Sequence, residues 1–91
     1  MTIATHHVVT IGIQQRMKDN LEFANQVQNS LDRFYRNDWG DDIAPEDKEI
    51  YDSTDNQSQY ALGSYKTGPE KIWIIREHDG SAVTVLFPWE Y

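Results

Sequence analysis

Residues 71–91 read KIWIIREHDGSAVTVLFPWEY, two β-rich runs on either side of Asp79-Gly80. The runs are 71–77 and 82–87, both dominated by β-branched, aliphatic and aromatic residues. Asp-Gly between such runs is the strongest short-range hairpin signal, because a type I′ turn needs positive φ at both central residues. A two-residue loop at this point pairs His78 with Ser81, Arg76 with Val83, Ile74 with Val85 and Ile72 with Phe87. Strand side chains alternate, so Ile72, Ile74, Val83, Val85 and Phe87 share one face, and Trp73, Ile75, Thr84 and Leu86 share the other. Both faces are apolar near the middle. Such a hairpin belongs inside a sheet, with helices over at least one face.

Upstream of it, residues 60–66 (YALGSYK) read as a strand, and Thr67-Gly68-Pro69-Glu70 turns that strand back into the hairpin. These three strands form a C-terminal antiparallel meander. At the other end, residues 5–11 (THHVVTI) are β-branched and predict a short strand, stopped by Gly12 and added at an edge of the sheet. Residues 13–19 suit a short helical turn with Ile13 and Met17 facing the core. Asn20 is placed to cap a long helix over 21–36, whose stripe is Leu21, Ala24, Val27, Leu31, Phe34 and Tyr35. Gly40 offers the left-handed residue that ends it. Ala44-Pro45-Glu46 starts a further helix, with proline in its first turn and Ile43, Ile50 and Tyr51 as its contacts to the core. Residues 53–58 are polar and read as a loop. The expectation is one α+β domain spanning 1–91: a three- to four-stranded antiparallel sheet with two to three helices packed on one face.

Composition narrows what the domain does. Ninety-one residues with three Trp, five Tyr and three Phe argue for a folded core and against a disordered acidic tail. No cysteine is present, which removes disulfides, a thiol nucleophile and cysteine-based zinc sites. No run is long and apolar enough to span a bilayer. The first residues, MTIATHHVVTIGI, lack the basic and small-residue features of a signal peptide. A soluble cytoplasmic protein, monomer or homodimer, is the expectation.

The net charge of −7 sits in one segment. Between positions 38 and 55 lie Asp38, Asp41, Asp42, Glu46, Asp47, Glu49, Asp52 and Asp55, against Lys48 alone. The rest of the chain balances seven acids with seven bases. A field of this kind repels nucleic acid and membrane surfaces and attracts basic partners. Those eight acids, with Trp39 as an aromatic anchor among them, are the candidate partner-binding residues. Glu46, Glu49, Asp52 and Asp55 recur every three residues, a spacing compatible with imitating a phosphate track. The bland readings are a solvated helix face for the acids and a core plug beside a turn for Trp39.

The segments SLDRFYRNDWGDD (30–42), ALGSY (61–65) and residues 71–91 also resemble a family of small proteins from phages, plasmids and other mobile elements. The Asp38-Trp39-Gly40-Asp41 block and the Ile-Trp-Ile-Ile…Leu-Phe-Pro…Glu-Tyr ending carry the resemblance, which covers roughly residues 23–91. Gly80 departs from the family pattern, which has a basic residue there. The resemblance implies a setting in which small accessory proteins inhibit host defence, as anti-CRISPR and anti-restriction proteins do. It brings no catalytic residues.

Other chemistry finds little footing. The acids do not follow a calcium-loop spacing, since Gly40 comes too early and Trp39 occupies a ligand position. His6 and His7 point to opposite faces of a strand, so a zinc ligand set does not assemble. His78, Asp79 and Ser81 fall within one tight turn, too close for the geometry of a triad. No enzyme, metal or cofactor is expected. The expected activity is binding: an acidic DNA mimic that inhibits a host defence nucleoprotein by occupying its basic nucleic-acid groove, with no direct nucleic-acid contact of its own. The alternative is a non-enzymatic assembly or antitoxin-like module that binds through its hydrophobic face and edge strand. The two differ in their sensitivity to salt.

Overall fold

The computed structural model describes residues 6–40, 42–52, 60–77 and 82–91, with the side chains at 6, 51 and 52 outside the description. The elements run β1 (His6–Val9), α1 (Ile11–Asp19), α2 (Leu21–Tyr35), α3 (Pro45–Asp52), β2 (Ala61–Lys66), β3 (Lys71–Arg76), β4 (Ala82–Leu86) and a closing 3-10 turn at Pro88–Glu90. The four strands form one sheet in the order β1-β4-β3-β2. The fold is α+β.

The C-terminal hairpin has the expected register. Arg76 pairs with Val83 and Ile74 with Val85, in antiparallel sense. The Asp79-Gly80 turn itself lies outside the described residues. β2 adds to the far side of β3, also antiparallel. β1 pairs with β4 in parallel, so the sheet is mixed and not wholly antiparallel. The reason is topological. After β1 the chain crosses the sheet through its helices before returning to it, and such a crossover delivers a strand in the same direction.

The face shared by Ile72, Ile74, Val83, Val85 and Phe87 is the floor of the core, and all five are buried. Ile13 of α1 and Phe23, Val27 and Phe34 of α2 close over it. Phe23 meets Phe87 with ring centroids 5.8 Å apart. Met17, Leu31 and Tyr35 pack at the margin. The α2 stripe is rotated from the one read off the sequence. Leu21 is 76% exposed, and the buried row is Phe23, Val27, Ser30 and Phe34. Ser30 is tolerated there because its hydroxyl donates to the Gln26 carbonyl oxygen at 2.7 Å.

The helix boundaries follow local chemistry. Thr10 caps α1, its hydroxyl accepting from the Ile13 N–H, so the helix begins two residues before the expected Ile13 and takes in Gly12. Asn20 caps α2 through the Phe23 N–H. α2 ends within a residue of the expected position, but on a different left-handed residue. Asn37 takes the left-handed conformation with φ 62°, its N–H donating to Phe34 while the Asp38 N–H reaches back to Arg33. That is the doubly bonded helix terminus in which Gly or Asn is favoured. Gly40, at φ 90°, forms instead a parallel bridge with Ser64 on the outer edge of β2. A Cβ at Gly40 would overlap the Ser64 carbonyl oxygen, so only glycine admits this approach.

Candidate functional site

The segment from Asp38 onward is fixed to the sheet before it turns acidic. Ser64 donates its N–H to the Trp39 carbonyl at 2.9 Å, and the Tyr65 hydroxyl donates to the Asp38 carbonyl at 2.7 Å. Trp39 is 2% exposed and stands edge-on to Phe34, ring centroids 5.2 Å apart. It is a core plug and not a surface anchor, which corrects its place among the partner-binding residues. The physical cause is the corner itself. The doubly bonded end of α2 and the Gly40–Ser64 bridge turn the indole inward, where its large apolar area is removed from water.

The acids divide into two groups. Asp38 is exposed but engaged. Arg33 grips it with Nε to Oδ2 at 2.7 Å and a second guanidinium nitrogen to Oδ1 at 3.2 Å, while the Gly40 N–H donates to the same Oδ1. The Arg33 hydrogen bond, joined by that of Gly40, holds the Asp38 carboxyl below its ordinary range despite partial burial. Asp42 accepts from Lys71 Nζ at 3.1 Å and from the Ser64 hydroxyl at 3.4 Å, and Lys71 lowers its pKa in turn. These two carboxylates tie the segment to α2 and β3.

Glu46, Asp47 and Glu49 form the second group, exposed on α3 with the half-buried Lys48 between them. Helix geometry puts Glu46, Glu49 and Ile50 on one face, at i, i+3 and i+4. Ile50 is 59% exposed, which corrects its expected role as a core contact; Ile43 makes that contact. Asp52 belongs to α3 by its backbone, and its side chain is not described. Asp41 and Asp55 lie outside the described residues. Ile50, like Leu21 on α2, is a surface residue that sequence patterning places in the core. The signal that could have found it was its position one turn after Glu46 on a helix with so few apolar residues.

Elsewhere, His7 Nε2 and the Tyr35 hydroxyl lie 2.6 Å apart, a contact that fastens β1 to α2. Burial raises the Tyr35 pKa, with nearby Arg76 opposing it. Among the described residues no group of three or more His, Asp or Glu is placed to hold a metal ion, and no helix is long and apolar enough to cross a membrane. His78, Asp79 and Ser81 are outside the description. Comparison with known proteins finds no matching family model, no matching curated protein and no matching solved structure.

Proposed function

We propose that this protein is a non-enzymatic binder that presents α3 to a basic, phosphate-accepting groove on another protein. In the setting implied by the mobile-element resemblance, that partner is a host defence nucleoprotein in the cytoplasm, and occupying its groove inhibits it. The observation that carries the reading is the division of the acids. Asp38 and Asp42 are held by Arg33 and Lys71, whereas Glu46, Asp47 and Glu49 face solvent on one short helix. Exposed Ile50 beside them adds the apolar contact that a charge-only surface lacks. A groove shaped for phosphates accepts carboxylates, and long-range attraction speeds the encounter.

The test is a competition titration on the purified target at two salt concentrations. Changing Glu46 and Glu49 to Gln and Asp47 to Asn together weakens binding and flattens its salt dependence, and nucleic acid displaces the wild-type protein. Full-strength binding by the triple variant sinks the reading. In that case the assembly-module alternative takes over, supported by β1. It is an edge strand of four residues whose Val8 and Val9 are exposed, ready to add a partner strand with little dependence on salt.

A further inference from the structure

The face of the sheet opposite α1 and α2 carries a second apolar surface. Ile75 of β3 and Leu86 of β4 are buried there beside the half-buried Thr84. The 3-10 turn Pro88–Glu90 leads Tyr91 to this side, where it stands edge-on to Trp73 with ring centroids 5.9 Å apart and an interplanar angle of 72°. Tyr60, one residue before β2, flanks the same space. Between them is a cavity of about 310 Å³, floored by Ile75, Thr84 and Leu86 and bordered by Tyr60, Tyr91 and Glu77. Burial raises the Tyr60 pKa, and the proximity of Tyr91 and Glu77 raises it further, so the three groups share one electrostatic neighbourhood.

The two carboxylates of the lining are not equivalent. Glu90 is satisfied by the Thr10 hydroxyl and by the N–H groups of Gly12 and Phe87. Glu77 is exposed at the rim and forms no ion pair among the described residues. No lysine, arginine or histidine lines the cavity among those residues. An anionic ligand would meet carboxylates and the negative faces of tyrosine rings. A purely apolar ligand would desolvate Glu77 with nothing in return. A cation on an apolar stem meets both demands: methylenes against Ile75 and Leu86, and a charged head between aromatic rings and a carboxylate.

We propose that this cavity receives an arginine side chain of a protein partner, its guanidinium between Tyr60 and Tyr91 and directed to Glu77. The planar guanidinium stacks on aromatic faces and forms charge-assisted hydrogen bonds to a carboxylate, which a point-like ammonium matches less well. The proposal rests on the binder reading only for the source of the cation. The preference for a cation comes from the lining.

The test uses the whole chain and three small probes: N-acetyl-arginine amide, its neutral norleucine counterpart and its anionic glutamate counterpart. NMR follows the ring protons of Tyr60 and Tyr91. The arginine probe shifts both rings saturably and binds about tenfold more tightly than the norleucine probe, while the glutamate probe does not bind. Glu77→Gln, an exposed conservative change, weakens the arginine probe several-fold. The α3 triple variant binds it as the wild type does. Equal binding of the neutral probe, indifference to Glu77→Gln, or loss of binding in the α3 variant overturns the proposal. A target whose association ignores α3 while the arginine probe still binds refutes the groove reading and leaves this site standing.

Discussion

Thr10 donates its hydroxyl proton to Glu90 Oε1 across 2.6 Å of space and eighty residues of chain. The other Glu90 oxygen accepts from the Gly12 N–H at 3.2 Å, and Oε1 also accepts from the Phe87 N–H at 2.9 Å. A carboxylate from the 3-10 turn Pro88–Glu90 thus completes the N-terminus of α1, where backbone N–H groups lack helical partners and the dipole favours negative charge. The same contact fastens the last turn beside the β1–α1 junction. It also sets Glu90 at one side of the cavity described above.

This linkage gives the first prediction. Burial pushes the Glu90 carboxyl up, but its hydrogen bonds from Thr10, Phe87 and Gly12 outweigh that and hold it below the ordinary value. Asp38 and Asp42 are depressed as well. A depressed carboxylate contributes stability that is present above its unfolded pKa, about 4, and is lost as pH falls through the folded value. The thermal midpoint therefore falls on acidification below about pH 4. Glu90→Ala costs about 1 kcal/mol at neutral pH and shrinks the acid loss. Thr10→Val combined with Glu90→Ala costs less than the two single changes added together, because they share one hydrogen bond. Thermal melts from pH 2 to 7 check all three statements; strict additivity would refute the direct coupling.

The second prediction separates two glycines that look alike by dihedral angle. Gly40 and Gly68 have φ of 90° and 92°. An added Cβ meets the Ser64 backbone at Gly40 and nothing within 4 Å at Gly68. Gly68→Ala carries only the conformational cost, about 1 kcal/mol. Gly40→Ala must also break the bridge that holds the Asp38 corner to β2, and costs at least about 3 kcal/mol. Urea unfolding of the two variants decides it, and equal losses would mean that the corner yields without penalty.

How much of this was legible in the chain depends on the range of the interaction. The hairpin register could be read because a two-residue turn fixes it and strand parity then assigns every face. The caps at Asn20 and the helix start at Pro45 are equally local. The rotation of α2 was hidden because Ser30 sits in the apolar row, satisfied by its own helix, and because Phe23 is drawn in by Phe87 far along the chain. The end of α2 near Asn37–Gly40 is legible, but the left-handed role falls to Asn37 because Gly40, the stronger conformational signal, is used for a tertiary contact that spacing does not show. The parallel sense of β1 and the Thr10–Glu90 bond join opposite ends of the sequence. In the acidic segment, composition located the charge, but only tertiary partners reveal that Arg33 and Lys71 occupy Asp38 and Asp42 and leave α3 exposed.

The third prediction concerns the floor of the core. Ile74 has no exposed surface and lies between the two strands on either side of β3, opposite Val85 and Gly63. Ile74→Ala costs about 2–5 kcal/mol, the larger part if the surrounding side chains cannot close the space. Trp73→Phe, on the opposite face and only half-buried, costs less. Denaturant midpoints with unchanged slopes check the order; a reversed order would place the main core on the wrong face of the sheet.

The last prediction sets the two halves of the 38–52 segment against each other. Trp39 is buried against Phe34, whereas Glu46, Asp47 and Glu49 are solvated on α3. Trp39→Ala removes a large buried aromatic and costs about 3–5 kcal/mol. Under conditions where it stays folded, its net charge is unchanged, so its retention on immobilised polylysine matches that of the wild type. The triple change of Glu46 and Glu49 to Gln and Asp47 to Asn does the opposite. It lowers the thermal midpoint only slightly, because among the described residues these exposed side chains form no ion pair and their loss removes only the favourable charge at the start of α3, and it elutes from polylysine at clearly lower salt. A triple variant that melts much earlier would mean that these acids support the fold, and one that elutes with the wild type would mean that the charge on α3 is not what a basic surface feels. A folded Trp39→Ala protein that loses retention would return Trp39 to the binding surface.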